Sequence, residues 1–174
     1  EKLLFYKSDE DARGKKSRFL DFNEKEKIDF ILTNILEDSQ FYKIYGGKFA
    51  SYILLRIDTT LWDLENFSGY PGTITVEHIL PQTPSKDSEW VKIFSEEERI
   101  EWTDKLGNLV LLSGRKNSQA SNYDFEKKKN VYFAKKQSPF QITQKLNAYD
   151  KWDINNLKSR HQELVNTAKN IVLN

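Results

Sequence analysis

Glu77-His78-Ile79-Leu80-Pro81, then Gly107-Asn108-Leu109-Val110-Leu111-Leu112, then Asn117 in a lysine-rich stretch, form the ordered set on which the fold turns. Just upstream, Thr73-Ile74-Thr75-Val76 is β-branched and alternating, between Pro71-Gly72 and Pro81, which predicts a short strand. Residues 106–112 are a second, largely apolar strand. Ser121 with Asp124 reads as a capping box that opens a helix through Lys136, with Pro139 just beyond it. Two paired strands with that helix packed across them bring Glu77, His78, Asn108 and Asn117 to one place.

The flanks read as helical. Asn23 with Glu26 makes an N-cap, and Ile28, Ile31, Leu32, Ile35 and Leu36 follow at helical spacing. Gly46-Gly47 breaks that pattern, and Ala50, Ile53, Leu54 and Ile57 mark another helix. Residues 7–18 are polar and read as a loop. Between the strands, Ser95 with Glu98 is a further capping box. Asp153 can cap a last helix in which Leu157, Leu164, Ala168 and Ile171 share a face, with Trp152 packed at its start. The expected fold class is α+β, mainly helical, in one domain over residues 1–174. Its sections are a helical part (1–72), a strand–strand–helix unit with a helical insertion (73–136) and C-terminal helices (137–174).

Composition bounds the function classes. Hydrophobic residues make up 38% and charged residues 30% of 174, a soluble globular balance. No apolar run approaches the roughly 18 residues of a membrane helix, so no membrane partner is expected. Cysteine is absent, which removes a disulfide framework and a Cys-based zinc knuckle and fits an intracellular protein. The chain starts at Glu1 and has no methionine, so it reads as a piece of a longer polypeptide. Net charge is +1, but residues 113–136 carry an excess of +5 and residues 86–104 an excess of −4. That asymmetry suggests one side facing a polyanion and another facing away.

Phosphodiester hydrolysis needs a water to lose a proton, the phosphoryl charge to be neutralised and the leaving oxygen to be stabilised. A neutral imidazole suits the first task, and His78 is the candidate base. A hard divalent cation with oxygen ligands suits the others, and Glu77 and Asn117 offer those oxygens. In a regular strand Glu77 and His78 point to opposite faces, so both serve one site only if the strand ends or bulges there. The Asn108 amide can bond backbone groups and clamp the loop carrying His78. Taken singly, such residues are more often structural: a strand-end histidine, turn or cap asparagines and a wet helix face at Lys127-Lys128-Lys129. His161 reads as surface or packing.

Glu77-His78-Ile79-Leu80-Pro81-Gln82, the run from Leu106 to Ser113, Lys116-Asn117-Ser118, Ser121-Asn122 and Phe125-Glu126-Lys127-Lys128 resemble the C-terminal nuclease domain of GmrSD-type modification-dependent restriction enzymes. A related domain terminates the phosphorothioate-sensing Ssp effector nuclease, and both belong to the HNH, or His-Me finger, superfamily. The likeness is strongest over residues 75–129 and extends through 52–56 and through Trp152, Ile154 and Arg160. It implies a ββα-metal (HNH) finger flanked by N- and C-terminal helices. It also implies a DNA endonuclease or nickase of bacterial, cytoplasmic anti-phage defence, using Mg²⁺, Mn²⁺ or another divalent ion. His78 would be the general base, Asn108 the loop asparagine, and Glu77 and Asn117 the metal-side oxygens. Arg115, Lys116, Lys127 and Lys128 would hold the DNA backbone. A nucleotide-hydrolysing sensor module usually precedes this domain in the same polypeptide. Here Glu77 stands where many HNH fingers have Asp, and Asn117 where many have His. Two other readings stay open on sequence alone: an inactive DNA-binding or assembly module, and an RNA-cleaving nuclease.

Overall fold

Capping side chains set where the helices begin. The Asn23 side chain accepts the Glu26 N–H and the Glu26 carboxylate accepts the Asn23 N–H, opening α1 at Glu24–Leu36. The computed structural model describes residues 23–63, 67, 69–70, 72–114, 122–133 and 138–173. The polar stretch 7–18, Arg115, Lys116, Asn117 and Ser121 lie outside the described residues. α2 spans Phe41–Thr59 and kinks at Gly46, whose φ of 78° and ψ of 166° only glycine adopts readily. Two short helices, α3 (Glu89–Ile93) and α4 (Glu96–Trp102), lie between the strands, and Ser95 and Glu98 cap α4 reciprocally. α5 is Phe125–Phe133 and α6 is Gln141–Gln144. α7 is Ile154–Leu173, and Asp153 Oδ1 accepts the N–H groups of Asn155 and Asn156 in its first turn.

The two strands, β1 (Ile74–His78) and β2 (Leu109–Ser113), pair antiparallel with Val76 opposite Leu111 and His78 opposite Leu109. The described chain is therefore a mainly helical α+β fold around a two-stranded antiparallel sheet. Both sheet faces are buried. Leu109 and Leu111 join the α2 side chains Ile53, Leu54 and Ile57 with Leu164 and Val165 of α7, and Ile74 and Val76 pack against the same cluster. Val110 and Leu112 face the other way, into Trp90, Phe125, Tyr132, Trp152 and Leu157. Two-sided burial explains why β2 is continuously apolar rather than alternating.

Several expected boundaries move. β1 ends at His78, as Pro81 suggested, but its register is regular up to that residue, so Glu77 and His78 still point to opposite faces. β2 starts at Leu109, because Leu106–Asn108 form a 3₁₀ turn. α5 starts at Phe125, and the Asp124 carboxylate accepts the Glu89 N–H at the start of α3. The outer edge of β2 is covered by side chains: Thr143 Oγ1 donates to the Leu111 carbonyl at 2.7 Å and Arg160 Nη2 to the Leu109 carbonyl at 2.9 Å. Such cover satisfies carbonyls that an open edge leaves free. No helix among the described residues is long and apolar enough to cross a membrane.

Candidate functional site

The segment that leaves β1 is held from the turn before β2. Asn108 is fully buried, and its Oδ1 accepts the Leu80 N–H at 2.8 Å. Its Nδ2 donates to the carbonyls of Leu80 and Thr103, each at 2.8 Å. Its backbone carbonyl accepts the Ile79 N–H at 2.9 Å. One amide thus satisfies both backbone groups of Leu80, two residues beyond His78.

Gly107 lets α7 close on this turn. A Cβ there would stand 2.4 Å from Cβ and 2.7 Å from Cα of His161. The Gly107 N–H donates to His161 Nδ1 at 3.1 Å, and Arg160 donates to its carbonyl. His161 Nε2 lies 2.9 Å from Glu37 Oε2. Burial pushes the His161 pKa below its ordinary value, against the pull of Glu37, so the ring is neutral with its proton directed at Glu37. Both its nitrogens are engaged, and it is a packing residue of the turn.

His78 lies on the α2 side of the sheet, 8% exposed, with its Nε2 3.0 Å from Asp104 Oδ1. The same carboxylate oxygen accepts Gln82 Nε2 at 3.1 Å. The Tyr42 ring meets the imidazole edge-on, with centroids 4.6 Å apart, and the Tyr42 N–H donates to the Asp104 carbonyl at 2.9 Å. The bond to His78 holds the Asp104 carboxyl below its usual range, Gln82 and Lys43 act in the same direction, and burial opposes them. Asp104 is therefore a carboxylate at neutral pH and can only accept. In neutral His78 it places the proton on Nε2 and the lone pair on Nδ1. Beside Asp104 and Gln82 a surface concavity of about 340 Å³ opens, lined by Pro81, Pro84 and Thr103 among others.

Asp104 belongs to the acidic stretch 86–104, and the structure sets its carboxylate against His78. Asp104, Tyr42 and Gln82 were not anticipated. Gln82 sits inside the recognised motif, so its position was a signal; nothing local to Tyr42 or Asp104 marks them.

Glu77 points to the opposite, α5 side. Its Oε1 receives Lys128 Nζ at 2.7 Å, and the same ammonium donates to the His78 carbonyl at 2.6 Å. Lys128 is fully buried, so its expected place on a DNA-facing surface is corrected: it is an internal cation. Burial pulls its pKa down and Glu77 pulls it back up. Tyr132 lies beside the same carboxylate; burial first, and Glu77 with it, raises that phenol. Lys127 is exposed, its ammonium 3.5 Å from the Tyr123 ring centroid.

A divalent ion needs several oxygen or nitrogen donors converging on one point. Among the described residues no three His, Asp or Glu side chains do so. Glu77 is neutralised by Lys128, and His78 and Glu77 flank opposite faces of the sheet. The described donors do not by themselves fit an ion.

The family model for the C-terminal domain of GmrSD restriction endonucleases matches residues 23–167. No curated protein and no solved structure matches the chain. The matched span takes in α1, both strands, the Asn108 turn and α7 through Arg160 and His161. The chain therefore belongs to the GmrSD restriction endonuclease C-terminal domain family, the nuclease domain of these enzymes.

Proposed function

We propose that this chain is a DNA endonuclease of the HNH type, cutting one strand per engagement, with His78 as general base. The observation that carries the reading is the His78–Asp104 contact of 3.0 Å, set on a backbone that Asn108 pins. With its Nε2 proton held by the Asp104 carboxylate, the ring offers Nδ1 to take a proton from an attacking water. Asp104 also stabilises the imidazolium that results, as an acid partner does in other hydrolytic dyads. Gln82 holds Asp104, and Tyr42 limits the tilt of the ring.

A divalent ion such as Mg²⁺ or Mn²⁺, if bound, would supply charge neutralisation for phosphodiester hydrolysis. Asn117 is the residue we assign to it; Glu77 is committed to Lys128. Arg115, Lys116 and the exposed Lys127 are assigned to the DNA backbone, contacts that carry little sequence information and weaken with salt. The wider setting that fits is a bacterial restriction protein of the cytoplasm, in which a nucleotide-hydrolysing sensor module directs this domain to DNA.

Supercoiled plasmid with Mg²⁺ or Mn²⁺, with and without chelator, tests the reading, with RNA as a parallel substrate. His78→Ala should abolish nicking while circular dichroism and DNA binding stay near wild type. Folded His78→Ala protein nicking at the unsubstituted rate would end the assignment, and cleavage of RNA alone would change the substrate.

A further inference from the structure

We infer that Lys128 is a positioning residue: its buried ammonium neutralises Glu77 and grips the His78 carbonyl, fixing the backbone that aims the imidazole. The inference rests on His78 being the base.

The carboxylate next to a catalytic histidine is the obvious place to look for a metal ligand, and here it is answered from within. Lys128 Nζ lies 2.7 Å from Glu77 Oε1 and 2.6 Å from the His78 carbonyl, and Lys128 has no exposed surface. A buried ammonium persists only with partners of this kind. The His78–Ile79 peptide is then held at both ends, its carbonyl by Lys128 and its N–H by the Asn108 carbonyl at 2.9 Å. Leu80 follows, held by the Asn108 side chain. Successive polar groups of the backbone leaving His78 are thus bonded from two directions, α5 on one face and the Asn108 turn on the other. A histidine on a strand end gains a fixed aim from such a cradle, and a small misplacement of a reacting group is costly in rate.

A plain packing role and a positioning role differ in one respect. Replacing both charges by apolar groups removes the burial penalty in either case, but it leaves the His78 carbonyl unheld. Lys128→Met alone should lower the melting temperature, because the part-buried Glu77 carboxylate and the buried His78 carbonyl then lose their cation. The double variant Glu77→Leu/Lys128→Met should regain part of the lost melting temperature, the unheld His78 carbonyl keeping it below wild type. In both variants kcat for plasmid nicking should fall about tenfold or more, with KM within about twofold. The ring resonance of His78 should move while that of His161 stays. A folded double variant with wild-type kcat and an unmoved His78 signal would overturn the proposal, leaving the pair as packing only.

A measurement on the unsubstituted chain needs no variant to fold. The Lys128 ammonium should give a slowly exchanging ¹⁵N signal with hydrogen-bond coupling to the His78 carbonyl carbon. Exchange as fast as that of surface lysines would equally refute the assignment. These readouts are spectroscopic and survive even if DNA proves not to be the substrate, so the two proposals fail separately.

Discussion

Asn108→Ala isolates the turn that holds the histidine strand. The substitution deletes hydrogen bonds to Leu80 N, Leu80 O and Thr103 O, all at 2.8 Å, around a side chain with no exposed surface. A buried polar group left without its partner costs about 1–3 kcal/mol. The Thr103 carbonyl is only part-buried and water can replace its donor, so the two Leu80 groups dominate. The two together come to about 2–6 kcal/mol, a large fraction of the 5–15 kcal/mol typical of a folded domain. Urea unfolding followed by tryptophan fluorescence reads this directly, since Trp90, Trp102 and Trp152 are buried. Asn108→Asp sharpens the test. It keeps an acceptor for Leu80 N–H but sets a carboxylate oxygen against two carbonyls. The introduced carboxyl should have its folded-state pKa raised above the unfolded value of about 3.9. A raised pKa means stability present below about pH 4 and lost as pH rises through the folded value. This variant should therefore come closest to wild type in acid and fall furthest behind at neutral pH. Asn108→Ala within about 1 kcal/mol of wild type, or Asn108→Asp as stable as wild type at pH 7, would refute the clamp.

Gly107→Ala should destabilise by about 3 kcal/mol or more in the same assay, because the new methyl meets the His161 backbone and cannot move aside. His161 gives the wild type a pH dependence of the opposite sign to that of Asn108→Asp: its folded pKa is depressed, so the stability it contributes is present above about pH 6.5 and lost as pH falls through the folded value. Urea midpoints should be level from pH 7 to 8 and drop below about pH 6.5, and this component should vanish in His161→Gln. Asp104→Asn should lower single-turnover nicking by roughly 10²–10⁴-fold with KM little changed, since an amide no longer fixes which ring nitrogen carries the proton. Equal rates would remove Asp104 from the mechanism.

Local signals served well where the physics is local. The Asn23–Glu26 and Ser95–Glu98 boxes need only neighbouring residues, and both are formed as read. The glycine break, the stripe on α7 and the β-branched run before His78 are of the same kind. The site was harder because its contacts join distant segments. Asp104 reaches His78 across 26 residues from an acidic insertion that looks like any solvated helix. Lys128 misled for a different reason. Three consecutive lysines look alike in sequence, yet helical geometry turns successive residues about 100° apart. Phe125, Lys128 and Tyr132 fall at i, i+3 and i+7 and are buried together, a stripe that marks the middle lysine as the inward one. His161 sits on the buried stripe of Leu157, Leu164 and Ala168 in the same way.

The grip of α7 on Gly107 has a consequence for how the protein comes into being. Both polar groups of that glycine are answered by residues more than fifty positions later in the chain. On a ribosome, β1, the Asn108 turn and α5 all leave the exit tunnel well before Arg160 and His161. The turn lacks these partners until then, so its final hydrogen bonds form only once α7 is delivered.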